Sequence, residues 1–579
     1  MGRRKGMSMV SVTIDNIKVE VEAGTTILKA AEKAGIHIPT LCYLEGINEI
    51  GACRVCVVEV EGARNLAAAC VTPVSNGMVV RTNTPRVRTA RRLNVELLLS
   101  NHKMECPTCI RNLNCELQTL AQTLGIREIR FEGKKTTYQP DTSTPALVRD
   151  PEKCILCRRC VAVCEKVQTV KAIAPQERGF ETVIAPAFHE KLINVACVEC
   201  GQCILVCPVG ALYEKDYTEE VWKALADPEK FVVVQTAPAT RVSIGQEFGY
   251  PPGAITTGKM VAALRRLGFD RVFDTDFSAD LTIMEEGSEF IERFKKGERL
   301  PLLTSCSPGW IKFIEHFYPE LLPHLSTCKS PQQMFGAVAK TYYAQKVGID
   351  PARMVVVSIM PCTAKKFEAQ RPEMKDSGYQ DVDYVLTTRE LARMIKEAGI
   401  DFQSLPEEDY DDPLGESTGA AVLFGTTGGV MEAALRTAYE LMTGKELPRL
   451  EFHEVRGLKG IKEATIDIEG TPVRVAVAHG LGHARELLER VKAGEKYHFI
   501  EIMCCPGGCI GGGGQPIPTN EEIRAQRMAG IYTADERMVI RKSHENPSIK
   551  ALYREFLGHP LSEKSHHLLH THYTPRGKY

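Results

Sequence analysis

CILCRRCVAVC at residues 154–164 and CVECGQCILVCP at residues 197–208 are the two stretches that decide the fold of the first part of this chain. Both have the spacing C-x2-C-x2-C-x3-C, in which the fourth cysteine of each stretch binds the cluster of the other. The spacing therefore predicts one [4Fe–4S] cluster held by Cys154, Cys157, Cys160 and Cys207. It predicts a second held by Cys197, Cys200, Cys203 and Cys164. Two adjacent clusters form a relay that passes single electrons.

The cysteine content favours metal binding over disulfides. The chain has 21 cysteines, and fifteen of them lie before residue 208 in tight groups. A disulfide framework suits small secreted domains, whereas this chain has 579 residues and its start, MGRRKGMSMVSV, has no apolar run behind the basic residues. Short C-x2-C spacings are typical of metal ligands. We therefore expect reduced thiols in a cytoplasmic protein.

Composition argues against several classes of function. Apolar residues make up 44% of the chain and charged residues 25%, as in ordinary globular proteins, and the length of 579 residues predicts several domains. Lys and Arg number 72 against 73 Asp and Glu, which gives no electrostatic reason to expect nucleic acid or an anionic membrane as partner. No stretch of eighteen apolar residues occurs, so no membrane-spanning helix is expected.

The first domain is predicted over residues 8–86 as a β-grasp, ferredoxin-like unit. Residues 9–22 alternate apolar and polar side chains in two short runs broken at Asp15 and Asn16, as a β-hairpin does. A helix is predicted at ILKAAEKAG, with Gly24-Thr25-Thr26 as its cap. A [2Fe–2S] cluster is then predicted at Cys42, Cys53, Cys56 and Cys70. The spacing is wider than the plant ferredoxin pattern, so the cluster type follows from the fold-like context.

A histidine joins three cysteines in the next module, predicted over residues 87–130. The spacing H-x3-C-x2-C-x5-C is formed by His102, Cys106, Cys109 and Cys115. Zinc would accept this set readily, but its place between two iron–sulfur modules favours a third [4Fe–4S] cluster. The two-cluster ferredoxin domain follows at residues 145–217.

From about residue 218 the composition changes to that of an α/β domain. Residues 232–235 and 354–359 are β-branched apolar runs typical of buried strands, and GKMVAALRRLGF and TTRELARMIKEAG are predicted helices. The glycine-rich stretches GTTGGVMEAALR and HGLGHARELL lack a full nucleotide-binding pattern, so no nucleotide site is expected there. The chain is therefore predicted to be a multidomain α+β and α/β protein.

The six remaining cysteines lie in three motifs and one isolated position. The motifs are TSCSPGW at residues 304–310, MPCTAKK at residues 360–366 and EIMCCPGGC at residues 501–509, and Cys328 stands alone. Such distant segments imply one site assembled by the fold. Here the chain resembles the iron-only hydrogenases over essentially its full length, with the four electron-relay modules in the same order. The family motifs are TSCCPxW, MPCxxK and ExxxCxxGC, and the second and third are matched in full.

The resemblance implies a catalytic domain at residues 225–520 and a small-subunit-like tail at residues 521–579 that wraps it. It implies an H-cluster, a [4Fe–4S] cube bridged by a cysteine to a two-iron unit that carries CO, cyanide and a dithiolate. Cys362, Cys505 and Cys509 match ligands of this cluster, with Cys509 as the bridge, and Lys365 matches the lysine that hydrogen-bonds a cyanide. The residues that match the shell of the two-iron unit are Ala237, Pro238, Gln332, Met360, Phe424 and Met503.

The first motif departs from the family. In strict register Cys306 is the proton relay, and the position of the fourth cube ligand holds Ser307, although serine is a poor ligand for iron. Three alternatives stay open: a shift of one residue lets Cys306 bind the cube, Ser307 is itself the ligand, or the neighbouring thiol of Cys504 substitutes. Cys306 is therefore a site residue that acts either as a metal ligand or as a proton relay.

A proton pathway is implied by the same resemblance. Glu286, Glu289, Arg293 and Ser326 match the pathway residues of the family at the proper distances from Cys306. From the residues alone, IMEEGSEFIERF would be a solvated helix face, but the register with Cys306 favours the pathway.

The resemblance implies reversible conversion of H2 into two protons and two electrons, which travel through the N-terminal clusters. The expected cofactors are one [2Fe–2S] cluster, three [4Fe–4S] clusters and one H-cluster. The motifs and the tail look most like the catalytic subunits of NADP-linked, electron-bifurcating complexes. This implies flavin- and NAD(P)-binding and [2Fe–2S] partner subunits, or ferredoxin, as partners. A non-catalytic electron-transfer subunit like that of NADH dehydrogenase, and a hydrogen sensor, are the alternatives.

Four histidines lie close together in the tail, and a metal site is one interpretation of them. A tail helix that packs on the catalytic domain is the favoured one. These residues are His566, His567, His570 and His572.

Overall fold

A computed structural model of the chain describes residues 8–468 and 470–577. The predicted hairpin is formed by strands β1 (Met9–Ile14) and β2 (Ile17–Glu22), which pair antiparallel. Asp15 and Asn16 turn the chain with φ of +45° and +70°, a conformation that Asp and Asn tolerate better than most residues. Helix α1 (Ile27–Lys33) follows, and the Thr26 hydroxyl accepts a hydrogen bond from the amide of Lys29. The predicted hairpin and helix are both confirmed.

The first domain is built on a mixed sheet with α1 packed against it. The further strands are β3 (Val57–Val60), β4 (Ala67–Ala68) and β5 (Met78–Arg81). Within the described residues the strand order is β2-β1-β5-β3-β4, and β5 runs parallel to β1. Buried side chains from β1, β2 and α1 form one apolar cluster with the buried thiols of Cys56 and Cys70. The domain is therefore a ferredoxin-like sheet with thiols at the edge of its core.

Two helices and a pair of repeats form the next part of the chain. The elements are α2 (Pro85–Asn101), α3 (Glu116–Thr123), β6 (Leu147–Arg149), α4 (Arg159–Ala162), β7 (Ala174–Gln176), β8 (Val183–Ala185), α5 (Gln202–Val206) and β9 (Leu212–Glu214). Strands β6 and β9 pair antiparallel. Helices α4 and α5 begin at the same place in the two cysteine runs, after left-handed residues Arg158 (φ +61°) and Gly201 (φ +68°). The two runs are thus structural repeats.

The catalytic part is an α/β unit with both strands and helices throughout. Its elements are α6 (Thr218–Ala226), β10 (Phe231–Thr236), α7 (Thr257–Leu267), β11 (Arg271–Asp274), α8 (Thr275–Lys296), β12 (Leu302–Leu303), α9 (Pro308–Phe317), α10 (Pro331–Val338), α11 (Ala344–Val347), β13 (Met354–Met360), α12 (Ala364–Ala369), β14 (Tyr384–Thr387), α13 (Thr388–Glu397), α14 (Gly419–Val422), α15 (Gly429–Thr443), β15 (Ile461–Ile468), β16 (Thr471–His479), α16 (Leu481–Lys492) and β17 (Phe499–Met503). The predicted strands at residues 232–235 and 354–359 are β10 and β13, and the predicted helices are α7 and α13, so all four are confirmed.

Two sheets form the core of this part, and their strands are mostly parallel. The first has the order β11-β10-β13-β14 and is parallel throughout. The second has the order β12-β17-β16-β15, in which β15 runs antiparallel to β16 and the other pairs are parallel. Parallel strands are covered on both faces, which explains the continuous apolar runs of β10 and β13. The segments that follow β10, β12, β13 and β17 meet at one place, where open α/β sheets carry their binding sites.

The C-terminal tail consists of α17 (Glu521–Arg537), α18 (Pro547–Leu552) and α19 (Glu563–Leu569). Ile531 of α17 packs beside Ile510, and Leu568 and Leu569 of α19 join the core cluster that includes Phe335 of α10. Side chains of the tail therefore share apolar clusters with the α/β part that precedes it. Among the described helices, none is both long enough and apolar enough to cross a lipid bilayer.

Candidate active site and electron relay

A mostly apolar cavity with an empty volume of about 650 Å³ lies where the strand ends meet. All three cysteine motifs reach it. The predicted site residues along its wall are Ala237, Pro238, Cys306, Ser307, Gln332, Met360, Cys362, Lys365, Phe424, Met503, Cys504, Cys505 and Cys509. Ala237 and Pro238 follow β10, Cys362 follows β13, and Cys505 follows β17, so the parallel register delivers these side chains to one place.

The thiols along the cavity are suited to a metal cluster. Burial raises the pKa of Cys362 well above the ordinary range, and the negative charges of Cys505 and Cys509 raise it further. Burial also raises the pKa of Cys509 to about 12. Thiolates this close together need a positive partner, which iron supplies. The donor set and the size of the cavity therefore fit a cysteine-bound iron–sulfur centre.

Lys365 is held at the edge of the cavity by a small hydrogen-bond network. Its Nζ donates to the backbone oxygen of Cys306 (3.1 Å) and to Oε2 of Glu368 (2.9 Å). Gln332 donates to the same Glu368 oxygen (3.0 Å). The Gln332 side-chain oxygen is buried without a hydrogen-bond partner among the described residues. The network fixes one ammonium and one amide beside an otherwise apolar space.

Ser307 and Cys504 lie together, on the side of the cavity that faces the ferredoxin repeats. Ser307 stands at the N-terminus of α9, and its hydroxyl accepts a hydrogen bond from the amide of Cys504 (3.1 Å). The Cys504 thiol is 3.8 Å from the amide nitrogen of Gln168. A Cβ atom on Gly309 would lie 2.6 Å from the Cys504 sulfur. The thiol of Cys504 is therefore packed tightly against the first turn of α9.

The predicted proton-pathway residues lie on one buried face of α8 and on the segment opposite. Burial raises the pKa of Glu286 to about 8, although a hydrogen bond with Ser326 opposes the shift. Ser326 donates to Oε2 of Glu289 (3.0 Å), and Arg293 donates to Oε1 of Glu289 (2.6 Å). The negative charge of Glu286 also raises the pKa of Cys306, after burial. The solvated-face interpretation of this helix is wrong for Glu285, Glu286 and Glu289, because these three carboxylates are buried against the core.

The four cysteines of the first domain come together in two close pairs. The sulfur atoms of Cys56 and Cys70 are 3.3 Å apart, and the amide of Cys53 donates to the sulfur of Cys42 (3.5 Å). Within each pair the hydrogen bond lowers the pKa of one thiol, Cys42 or Cys56, and raises the pKa of its partner, Cys53 or Cys70. One thiol of each pair is therefore held close to the thiolate form that binds iron.

His102 is placed as a metal ligand would be. Burial lowers its pKa to about 4, so its ring is neutral at physiological pH. Its Nδ1 atom is buried and has no hydrogen-bond partner among the described residues. Cys106, Cys109 and Cys115 are all half-buried, and a Cβ atom on Gly210 would lie 2.6 Å from the Cys109 sulfur. A neutral imidazole with an unpartnered nitrogen is the form of histidine that binds a metal.

Two small cavities lie within the ferredoxin repeats, and each contains one predicted ligand set. The first, with an empty volume of about 450 Å³, is lined by Cys154, Cys157, Cys160 and Cys207. The second, of about 490 Å³, is lined by Cys164, Cys197, Cys200 and Cys203. Each cavity thus takes three cysteines from one run and one from the other, which is the exchange that the spacing predicts.

Three polar residues that the sequence reasoning did not assign support the site. Glu501, the first residue of the EIMCCPGGC motif, accepts hydrogen bonds from the amides of Gly428 (2.6 Å) and Met431 (2.7 Å) at the N-terminus of α15. Gln168 donates to the backbone oxygen of Cys504 (3.1 Å), and Glu368 binds Lys365. Of these three residues, only Glu501 could have been identified from the sequence, because it belongs to the EIMCCPGGC motif.

Comparison with known proteins defines the class. A family profile described as "Iron only hydrogenase large subunit, C-terminal domain" matches residues 230–513, and "Iron hydrogenase small subunit" matches residues 521–576. Ahead of these, a 2Fe-2S cluster-binding domain matches residues 7–85, the NADH-ubiquinone oxidoreductase-G iron-sulfur binding region residues 91–130, and a 4Fe-4S dicluster domain residues 153–211. The chain belongs to the iron-only hydrogenases and is a catalytic subunit with N-terminal iron–sulfur domains.

Two curated relatives match along their entire length. The NADP-reducing hydrogenase subunit HndD of Solidesulfovibrio fructosivorans is 55% identical, over 98% of this chain and 100% of the relative. Iron hydrogenase 1 of Clostridium pasteurianum is 42% identical, with the same coverage. The solved structure of an apo variant of [FeFe]-hydrogenase HydA1 from Chlamydomonas reinhardtii is 50% identical and superposes with a TM-score of 0.56, covering 62% of this chain and 99% of that one. The interpretation as a non-catalytic electron-transfer subunit or a hydrogen sensor is not favoured.

Proposed function

We propose that this hydrogenase exchanges electrons with NADP through partner subunits in the cytoplasm. Those subunits would bind flavin and NAD(P) and carry a further [2Fe–2S] cluster, and ferredoxin would be the second electron partner. The full-length similarity to an NADP-reducing hydrogenase subunit supports this. The glycine-rich turn before α15 also supports this proposal. The Glu501 carboxylate already occupies the place at that helix N-terminus where the phosphate of a nucleotide would bind. The nucleotide site would therefore belong to a partner.

We further propose the full cofactor set and its ligands. The chain would hold one [2Fe–2S] cluster at Cys42, Cys53, Cys56 and Cys70 and three [4Fe–4S] clusters, at the His102 module and in the two ferredoxin cavities. The H-cluster would be held by Cys362, Cys505 and Cys509, with Cys509 as the bridge. The proposed domain limits are residues 8–86, 87–130, 145–217, 225–520 and 521–579.

The fourth position of the H-cluster cube is proposed to be Ser307, and Cys306 is proposed to be the proton relay. The negative charge of Glu286, at the start of the proposed pathway, raises the pKa of the Cys306 thiol. Ser307 lies on the cavity wall beside Cys504. The Cys504 thiol is packed against α9 and Gln168, which makes it the weaker candidate. In a Ser307→Cys variant the cube should keep its iron content but change its EPR signal. An unchanged signal would argue against ligation at residue 307.

When bound, the H-cluster supplies an open iron site that polarises H2 and takes up its electrons. The chain itself would exclude water and move protons. Pro238, Met360, Phe424 and Met503 keep the space apolar, and Lys365 would hold a negatively charged ligand in place. Cys306 would exchange a proton with the Glu286 carboxyl, and the Ser326 hydroxyl would pass it on to Glu289. The hydrogen-bonded series from Glu286 through Ser326 to Glu289 is the observation that carries this proposal.

Infrared spectroscopy tests the site, and acceptor assays test the partners. Protein matured with its H-cluster and kept free of oxygen should show CO and cyanide bands that shift when H2 is admitted. The purified chain should then reduce a dye with H2 but not NADP⁺, and a tagged chain isolated from its source cells should bring with it subunits that reduce NADP⁺. Bands without a response to H2 would contradict the proposed site. Reduction of NADP⁺ by the chain alone would contradict the proposed partners.

A further inference from the structure

The predicted proton pathway meets the C-terminal tail at Glu289. We propose that the tail supplies a second branch for protons, which runs from Glu289 through the Thr327 hydroxyl to His570 and on to His566. This inference rests on the proposed function, because it assumes that Glu286, Ser326 and Glu289 carry protons to and from the active-site cavity.

A continuous series of contacts forms the branch. The Thr327 hydroxyl donates to Oε1 of Glu289 (3.2 Å) and also lies 2.7 Å from Nδ1 of His570. The other ring nitrogen of His570, Nε2, lies 3.2 Å from Oε2 of Glu285. An antiparallel backbone bridge between Cys328 and His570 holds the two segments together. The imidazole is thus fixed between two carboxylates of α8, one of which belongs to the predicted pathway.

Two carboxylates and two uncharged side chains surround the ring of His570. Glu285 and Glu289 of α8 face it, as do Thr327 and Cys328 from the segment opposite. Burial opposes the charged form of Glu285, but hydrogen bonds from His570 and Tyr553 hold its pKa below the ordinary value. A buried carboxylate stabilises an adjacent imidazolium, and imidazole is the side chain that gains and loses protons near neutral pH.

His566 leads from this buried junction to solvent. It lies one turn before His570 on the same tail segment, its side chain is exposed, and the two ring centroids are 4.3 Å apart. Arg293, the other neighbour of Glu289, donates to the backbone oxygen of Leu325 (2.9 Å). A guanidinium does not give up its proton in proteins, so Arg293 positions Glu289 but cannot itself relay. Ser326 leads from Glu289 back to Glu286, and Thr327 is the described partner of Glu289 that leads on to the imidazole of His570.

Transfer along the branch is balanced without any electron change. Protonated Glu289 gives its proton to the Thr327 oxygen while the Thr327 hydroxyl gives its own to Nδ1 of His570. His570 then releases the proton on Nε2, which faces Oε2 of Glu285 (3.2 Å), toward the exposed ring of His566 and solvent, and the proton on Nδ1 leaves the ring neutral. Glu289 is left as a carboxylate, ready to accept the next proton from Ser326. Both nitrogens of His570 already have partners, so we favour this role over a metal site, although Glu289, Cys328 and His570 could together surround an ion.

The branch is tested in the matured full-length enzyme with His570→Gln and Thr327→Val. The glutamine keeps hydrogen-bonding groups but cannot carry a proton, and the valine keeps the shape of threonine without its hydroxyl. The matched control is His572→Gln, an exposed histidine of the same tail. We expect H2 turnover to fall about tenfold in both test variants, below the loss of about 10²-fold or more for a sole proton carrier, because the branch is proposed as a second route and not as the sole one. Turnover of the control should stay at the wild-type level.

Three further readouts separate proton transfer from a structural role. In His570→Gln, the solvent deuterium isotope effect should increase, the limb of the pH profile between pH 5 and 8 should disappear, and added imidazole should restore part of the rate. The pH profile and isotope effect of the control should match the wild type. If His570→Gln lowers the melting temperature, Thr327→Val carries the test, since the Thr327 amide still donates to Glu289 (3.1 Å).

The inference is overturned if both variants keep the wild-type pH profile and isotope effect. It is equally overturned if they lose turnover with no change in either readout, since that result indicates only structural support. Failure of the proposed function itself is distinguishable, because the wild-type enzyme would then lack CO and cyanide bands that respond to H2. The branch is supported if the test variants keep those infrared bands while their pH profile and solvent isotope effect change.

Discussion

The two sides of the active-site cavity differ in the kinds of residue that form them. On the side of Cys306, a buried helix face carries Glu286 and Glu289, and the Ser326 hydroxyl links the two carboxylates by hydrogen bonds. On the side of Cys505, the ferredoxin repeats come close through backbone and small side chains: Gln202 donates to the oxygen of Gly511 (2.8 Å), and a Cβ atom on Gly201 would lie 3.0 Å from Cα of Gly513. One side offers titratable groups, and the other offers close packing.

The difference fits what each side is proposed to transport. A proton moves only between groups in hydrogen-bond contact, so its route needs continuous donors and acceptors even where burial makes charges costly. An electron needs only short distances between clusters, and glycines and thiols shorten those distances. The comparison predicts that substitutions on the proton side change rates while the fold survives, and that substitutions on the electron side mainly affect packing.

The largest effect is expected for Glu286→Gln, which keeps the shape of the side chain and removes its proton. Turnover should fall by about 10²- to 10⁴-fold, as for other positioned proton carriers, while the infrared bands of the H-cluster stay unchanged. The control is Glu292→Gln on the exposed face of the same helix, where Glu292 pairs with Lys296. Equal activity of the two variants would remove Glu286 from the proton route.

The pH dependence of H2 evolution is the next test of the proton side. Burial raises the pKa of Glu286 to about 8, so its carboxyl is protonated below that pH and charged above it. Evolution needs a protonated donor, so its rate should fall about tenfold per pH unit above pH 8. The measurement is the catalytic current of immobilised enzyme between pH 6 and 10 at constant overpotential. A flat profile above pH 8 would contradict this role.

A smaller effect is expected where the ferredoxin repeats meet the catalytic part. In Gly201→Ala the new Cβ would lie 2.5 Å from the Thr363 hydroxyl, at a φ of +68°. We expect a loss of about 2–4 kcal/mol in stability, from backbone strain and overpacking together. Gly179→Ala is the control, because it has a similar φ of +58° and nothing within 4 Å. It should lose only about 1–2 kcal/mol, measured by thermal unfolding. Equal losses would mean that the close contact is unimportant.

The smallest effect is expected at the first turn of α9. Gly309→Ala should cost about 1–2 kcal/mol, because its Cβ would lie 2.6 Å from the sulfur of Cys504. The double variant Gly309→Ala with Cys504→Ala should recover most of that loss, since the two side chains compete for one space. A double-mutant cycle measured by thermal unfolding checks the pair. Additive losses would show that Cys504 does not fill this space.

The relay could be predicted from the sequence because cysteine spacing is local. The two ferredoxin runs each specify a loop and a ligand set, and the two cavities contain those sets. Helix α8 was harder, because IMEEGSEFIERF has the composition of a solvated face and only tertiary packing buries Glu285, Glu286 and Glu289. The link from Glu289 through Thr327 to His570 could not be predicted at all. The pairing depends on where a tail segment about 280 residues further along the chain packs. The hydrophobic periodicity of the sequence does not indicate such a pairing.

The way the tail closes over Ser326 also sets an order of events during synthesis. The hydroxyl of Tyr573 donates to the backbone oxygen of Ser326 (2.6 Å), and Arg576 binds Glu315 from the same stretch. A ribosome makes these residues after every cysteine of the chain. The wall around the proton route is therefore finished only when all cluster ligands already exist, so a nascent chain remains open on this flank while its thiols become available for iron.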